Sequence, residues 1–149
     1  EARGLPPERV DEALALACLI TVLTTGKLGS LSAVCGGSNA AGAGLAAGLV
    51  LLAGGGEREI SLSLDNMVGN VSGMVCDGAK IGCGLKTMTA VDAAFRAASL
   101  AMSGVGIPFT DGIVGADGLA SLDNLARLAN QGMVAVDAEI LAIMKEKLV

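Results

Sequence analysis

The stretch Ala40-Ala-Gly-Ala-Gly-Leu-Ala-Ala-Gly-Leu-Val-Leu-Leu-Ala53 decides the fold of this 149-residue chain. It lies within a run that carries no charge between Lys27 and Glu57, and the triplet Gly54-Gly55-Gly56 closes it. Ala and Leu favour helix, whereas each interior glycine costs about 1 kcal/mol against alanine, so close contact with neighbours must offset the glycines. The run from Leu28 to Gly56 is also long enough to span a bilayer, with small residues such as Gly44 and Gly48 at helix-packing spacing. It lacks Trp or Tyr anchors and includes Cys35, Ser38 and Asn39, which favours a helix buried on all sides of a soluble domain. Gly42 to Gly48 mimics a dinucleotide fingerprint, but no strand precedes it and no βαβ pattern surrounds it.

Helical patterns extend on both sides. Pro6-Pro7 with Glu8, Asp11 and Glu12 opens a helix expected to reach about Thr25 and to stop at Gly26. Glu59–Ser72 reads as helix on the spacing of Leu64, Met67, Val68 and Val71, against a weaker alternation of Ile60, Leu62 and Leu64. A loop rich in Gly and Cys, Gly73–Gly84, follows. Leu85–Met102 is a helix with Met88, Val91, Phe95, Ala98 and Met102 on one face, ended by Gly104, Gly106 and Pro108. Asp111–Gly115 is a loop, and two amphipathic helices run from Asp117 to about Gln131 and from Asp137 to the end. The expected fold is all-α, one compact domain over residues 1–149 with about six helices and a Gly/Cys-rich loop between helices.

Composition narrows the chemistry. Apolar residues make up 52% of the chain, which excludes a disordered chain. There are two Phe, no Trp and no Tyr. The absence of histidine removes Ser-His, Cys-His and His-metal sites from this chain. A net charge of −5 with no basic, aromatic-studded patch argues against nucleic acid. Four cysteines without a secretory signal read as thiols or metal ligands before disulfides, and the expected compartment is the cytoplasm.

Cys76 and Cys83 bracket the loop Cys76-Asp-Gly-Ala-Lys-Ile-Gly-Cys83, and Cys35 stands beside Gly36-Gly37. Glycine beside cysteine gives a bulky cluster room and lets backbone N–H groups turn toward sulfur. The competing account is buried structural cysteine, and Cys18, on an Ala-Leu helical face, is read as core filling. Zinc would need Cys18 or an acid as fourth ligand, and the paired Cys-x₂₋₄-Cys spacing of closed zinc sites is missing. An iron–sulfur cluster on three cysteines tolerates irregular spacing and leaves one iron open to act as a Lewis acid.

Three stretches, Leu31–Ala43, Ser72–Cys83 and Asp111–Gly115, resemble the serine dehydratase alpha-chain family, most nearly its L-cysteine desulfidase branch. Asp123–Met133 and Asp137–Met144 resemble the C-terminal helices of the same family. The resemblance runs from about Glu8 to Lys145 and implies the C-terminal, cluster-binding part of such a chain. It implies a 4Fe-4S cluster held by Cys35, Cys76 and Cys83, and β-elimination from a small L-amino acid. L-cysteine would give pyruvate, ammonia and sulfide; L-serine would give pyruvate and ammonia. Ser38, Asn39, Asp77, Lys80 and Lys86 become candidates to contact substrate or cluster sulfides, with helix capping and loop turns as the competing account of Ser38, Asn39 and Asp77. The chain lacks the family's N-terminal portion, so the proton-removing base is expected outside it, on that segment or on a sister chain in an oligomer. Nor does it carry the C-terminal cysteine of some serine dehydratases, since its last residues are Leu148 and Val149. The alternative is a non-catalytic helical assembly or a redox- or iron-sensing module that uses the same cysteines.

Overall fold

The computed structural model describes residues 4–29 and 31–147. It is all-α: α1 (Pro7–Leu28), α2 (Gly42–Leu52), α3 (Glu57–Val71), α4 (Gly82–Met102), α5 (Gly118–Arg127) and α6 (Val134–Glu146). A π-helical turn, Gly37–Ala41, leads into α2, and a second, Leu128–Gly132, follows α5. The residues that end the last predicted helix, Leu148 and Val149, lie outside the described residues, as does Ser30. Among the described residues no helix is long and apolar enough to cross a membrane.

The uncharged stretch is the centre of the molecule. Helix α2 packs against α1, α3 and α4, and Ala43, Ala46, Ala47 and Val50 have no exposed surface. Its glycines set the approach to α1. A Cβ on Gly44 would overlap Thr21 Oγ1 and the Ala17 carbonyl, and one on Gly48 would lie 2.8 Å from the Ala13 carbonyl oxygen. The two backbones therefore run closer than any side chain permits, and this contact offsets the poor helix propensity of glycine. The side chains of Leu64, Met67, Val68, Leu122 and Leu125 complete the core on the α3 and α5 side.

Helix α1 runs one turn beyond expectation. Gly26 is helical, and the chain leaves the helix at Gly29, whose φ of 85° suits glycine and whose N–H donates to the Thr25 carbonyl. At α3, Gly56 N–H donates to the Glu59 carboxylate at 2.9 Å, and this bond holds the Glu59 carboxyl below its usual range. Asp117 caps α5 by accepting from Ala120 N–H at 2.8 Å. Helix α6 starts at Val134, so Asp137 lies in its first turn rather than at its cap.

Two expectations about which residues are buried are corrected. Of the five residues expected on one face of α4, Met88, Val91, Phe95 and Met102 are exposed, Phe95 at 56%, whereas Ala98 is buried. The buried side is alanine: Ala90, Ala93, Ala94, Ala97, Ala98 and Ala101. Close packing on α2 and α3 leaves room only for methyl groups there, so volume rather than hydropathy chose the buried face. Cys18 is exposed rather than core, because α1 turns Ala13 and Ile20 inward and leaves Cys18 beside exposed Leu14, Leu19 and Val22.

A buried polar network joins α3 to α5. Ser121 Oγ donates to Asp65 Oδ1 at 2.6 Å and accepts from Gly115 N–H at 2.8 Å. Burial pushes the Asp65 carboxyl above its ordinary value; the Ser121 bond opposes the shift and the Asp117 charge adds to it. The folded chain therefore holds this proton more tightly than the unfolded chain, so the contribution is favourable at low pH and is lost as pH rises through the raised value.

Gly44→Ala is expected to lower unfolding free energy by about 1–3 kcal/mol in urea titrations, through overpacking against α1. Gly26→Ala, in the same helix pair but with open space around it, should instead raise it by up to about 1 kcal/mol. Urea midpoints measured across acidic to neutral pH should fall more with rising pH in the native chain than in Asp65→Asn.

Candidate functional site

Val34 and Val75 form an isolated antiparallel bridge. Cys35 N–H donates to the Met74 carbonyl at 2.7 Å and Cys76 N–H to the Ala33 carbonyl at 2.8 Å. In this pairing Cys35 stands opposite Met74, and Cys76 opposite Ala33. Side chains alternate across such a ribbon, so Cys35 and Cys76 share the face opposite Val34, which is buried in the core. They occupy diagonal positions, which in a two-stranded ribbon lie roughly 7–8 Å apart. The loop reading of Gly73–Gly84 did not anticipate this bridge, which has no local sequence signal.

The N–H groups of both cysteines are spent on the bridge itself. Cys35 immediately precedes a helical run that passes through the π turn into α2, and its carbonyl accepts from Asn39 N–H at 2.9 Å. π turns of this kind recur at functional sites. Ser38 Oγ and Asn39 Nδ2 also donate to the Cys35 carbonyl, each at 3.1 Å. These two side chains are buried, so they fix the backbone of Cys35 rather than lie open to a ligand. Asn39 Oδ1 is buried without a hydrogen-bond partner.

Cys83 is in the first turn of α4, two residues earlier than the helix was expected to begin. Its Sγ lies 3.5 Å from the Gly78 carbonyl oxygen. Thr87, one turn on, donates to the Cys83 carbonyl at 2.9 Å. Gly37 marks where this turn meets Cys35: a Cβ built on Gly37 would lie 3.8 Å from Cys35 Sγ and 3.9 Å from Thr87 Oγ1. Thr87 was not singled out by sequence, because nothing local ties it to Cys35. The structure thus brings Cys35 and Cys83 to the starts of two helical runs and Cys76 to the bridge that joins them, beside glycines that leave space. All three are free and partly exposed.

Lysines hold the intervening loop. Lys86 Nζ donates to the Val75 carbonyl at 2.8 Å and pairs with the Asp77 carboxylate. The exposed Lys80 pairs with the other oxygen of Asp77. Asp77 is therefore a tie between two cations, and Lys86 anchors both the bridge and the loop.

A cleft of about 450 Å³ opens beside the bridge, lined by Gly36, Cys76 and Gly78 on one side and Ile140, Leu141 and Met144 of α6 on another. Among the described residues, no three His, Cys, Asp or Glu side chains gather closely enough for a single metal ion. Thiolates about 2.3 Å from one zinc would be under about 4 Å apart, tighter than the diagonal of a bridge. In chemistry the donor set fits a larger, multi-iron group: three soft sulfur ligands, with Gly36 and Gly84 beside them leaving room.

A family model described as serine dehydratase alpha chain matches residues 1–142. The chain is 43% identical over 140 residues to a UPF0597 protein of Desulfotalea psychrophila, a match covering 94% of this chain and 32% of that protein. It is 42% identical over 147 residues to one of Caldanaerobacter subterraneus, covering 99% and 35% respectively. With one of Oleidesulfovibrio alaskensis it is 46% identical over 144 residues, covering 94% and 33%. The chain therefore spans about a third of the length of these curated relatives. No solved structure matches.

Lys86→Ala should free the segment that carries Cys76. The expected result is several-fold faster alkylation of Cys76 under native conditions, read by peptide mass spectrometry, with Cys18 unchanged. The stability loss should be about 1–3 kcal/mol, the range for a charge-assisted hydrogen bond.

Proposed function

This chain belongs to the serine dehydratase alpha-chain family, and from that premise we propose that it supplies the cluster-ligand part of an iron–sulfur-dependent lyase. The reaction is β-elimination from a small L-amino acid. A base removes the proton on Cα, the Cβ–S bond of L-cysteine or the Cβ–O bond of L-serine breaks, and the resulting aminoacrylate hydrolyses to pyruvate and ammonia. Sulfide or water leaves. The observation that carries this reading is the bridge Val34–Val75, which sets Cys35 and Cys76 on one face beside the Cys83 turn.

Cys35, Cys76 and Cys83 would hold a 4Fe-4S cluster. When bound, it supplies an iron without a cysteine ligand, a Lewis acid for the substrate's leaving group. The chain's own groups hold the ligand cysteines. The Asp77–Lys86 pair and the Lys86–Val75 bond hold Cys76 in place. The buried Ser38 and Asn39 hold the Cys35 carbonyl at the helix start. Gly36 and Gly37 leave the volume beside Cys35 unfilled. The exposed ammonium of Lys80, paired with Asp77 in the free chain, is the candidate to meet a substrate carboxylate. The base that takes the Cα proton is assigned, with the family resemblance, to the additional polypeptide that the relatives possess.

Anaerobic reconstitution with iron and sulfide tests the ligand set. The native chain and Cys18→Ser should bind about four iron and four sulfide each, and Cys35→Ser, Cys76→Ser and Cys83→Ser should lose most of both. Gly37→Ala is expected to fold at least as stably as the native chain, because alanine is the better helix former, yet to load less iron. Pyruvate release from L-cysteine and L-serine should be measured on the polypeptide extended by its own reading frame to the relatives' length. Iron bound equally by all three serine variants would overturn the ligand assignment. A fully loaded extended protein that forms no pyruvate would favour the sensing role.

A further inference from the structure

The outer face of α4 carries Leu85, Met88, Val91, Phe95 and Met102, all exposed, with Met88 at 69%. Both aromatic residues of the chain, Phe95 and Phe109, stand outside the core, although aromatic side chains are the largest hydrophobic payload a domain can bury. Soluble monomers rarely leave a contiguous apolar stripe of this length open, and large aromatic and Met side chains concentrate at interface centres. The two charges on this flank, Asp92 and Arg96, pair with each other at 2.9 Å, so the face offers no net charge to a charged partner. It selects an apolar one.

We propose that the outer face of α4 is the seat of the additional polypeptide that the relatives possess, carried in the same chain. The inference rests on the reading of this sequence as one part of a longer lyase, and two observations support it. The relatives are about three times the length of the matched region. The stripe is also continuous with the thiol site: its first member, Leu85, is two residues from Cys83, and Ile81 beside them is 97% exposed. A segment laid along α4 from Met102 to Leu85 therefore ends two residues from Cys83. That route brings the missing base to the substrate and covers the apolar surface in a single contact.

Hydroxyl-radical footprinting tests this without any substitution and without iron. The 149-residue chain and the polypeptide extended through its own reading frame are oxidised in parallel, and Met88, Phe95 and Met102 are quantified by peptide mass spectrometry. At least about tenfold protection of all three in the extended protein is expected, with exposed Leu119 of α5 equally reactive in both. Phe95→Asp should lower the melting temperature of the extended protein by several degrees and leave the 149-residue chain within about one degree. Equal oxidation in both forms overturns the proposal, as does a reading frame with no extension. Protection of the 149-residue chain alone that rises with its concentration would assign the face to a second copy and overturn it as well. Because neither readout involves the cluster, failure here is distinguishable from failure of the lyase reading.

Discussion

The close approach of α2 to α1 is the constraint on which the rest depends. Gly44 and Gly48 let the Ala13 and Ala17 carbonyls and the Thr21 hydroxyl sit against the α2 backbone, at a separation no side chain would allow. With α2 fixed there, its remaining sides are filled by the alanine face of α4 and by α3. The N-terminal end of α2 is fixed by the same contact. Cys35 therefore lies at a defined point, immediately before the π turn that leads into the central helix. The bridge to Val75 then places Cys76, and the packing of α4 on the π turn places Cys83. The glycines that look costly by propensity are what give the cysteines a common frame.

The same packing explains what the sequence disclosed and what it concealed. The all-α fold, the buried glycine-rich helix, and the α3, α4 and α5 segments were legible because apolar periodicity and caps such as Asp117 act locally. The direction in which α4 faces was not. A hydrophobic stripe at helical spacing ordinarily marks the core, but here the core has space only for alanine and the large residues of α4 are turned out. Cys18 misled for the same reason: apolar neighbours on α1 do not distinguish an inner face from an exposed one. The cysteine loop was legible as chemistry through its glycines and spacing. Its geometry was not, since a bridge between residues 41 apart in sequence and a Cys35–Thr87 approach are tertiary facts with no local periodicity.

Electrostatic support around the thiols is economical. One carboxylate, Asp77, ties Lys80 and Lys86, and Lys86 also grips the Val75 carbonyl, so the loop between Cys76 and Cys83 is held at its base and left open at its tip. The buried groups, Ser38 and Asn39, spend their hydrogen bonds on backbone rather than on the open space. This division leaves the thiols at the loop's edge open rather than packed over.

The central claim is that three thiols of this chain hold a four-iron group and leave one iron for substrate. Mössbauer spectroscopy of protein reconstituted anaerobically with iron-57 tests it most directly. Three cysteine-ligated irons and one open iron should give two populations in a ratio of about three to one, and adding L-cysteine or L-serine should move only the minor one. Four equivalent irons unmoved by either amino acid, or iron that leaves on desalting even from the extended polypeptide, would contradict the account.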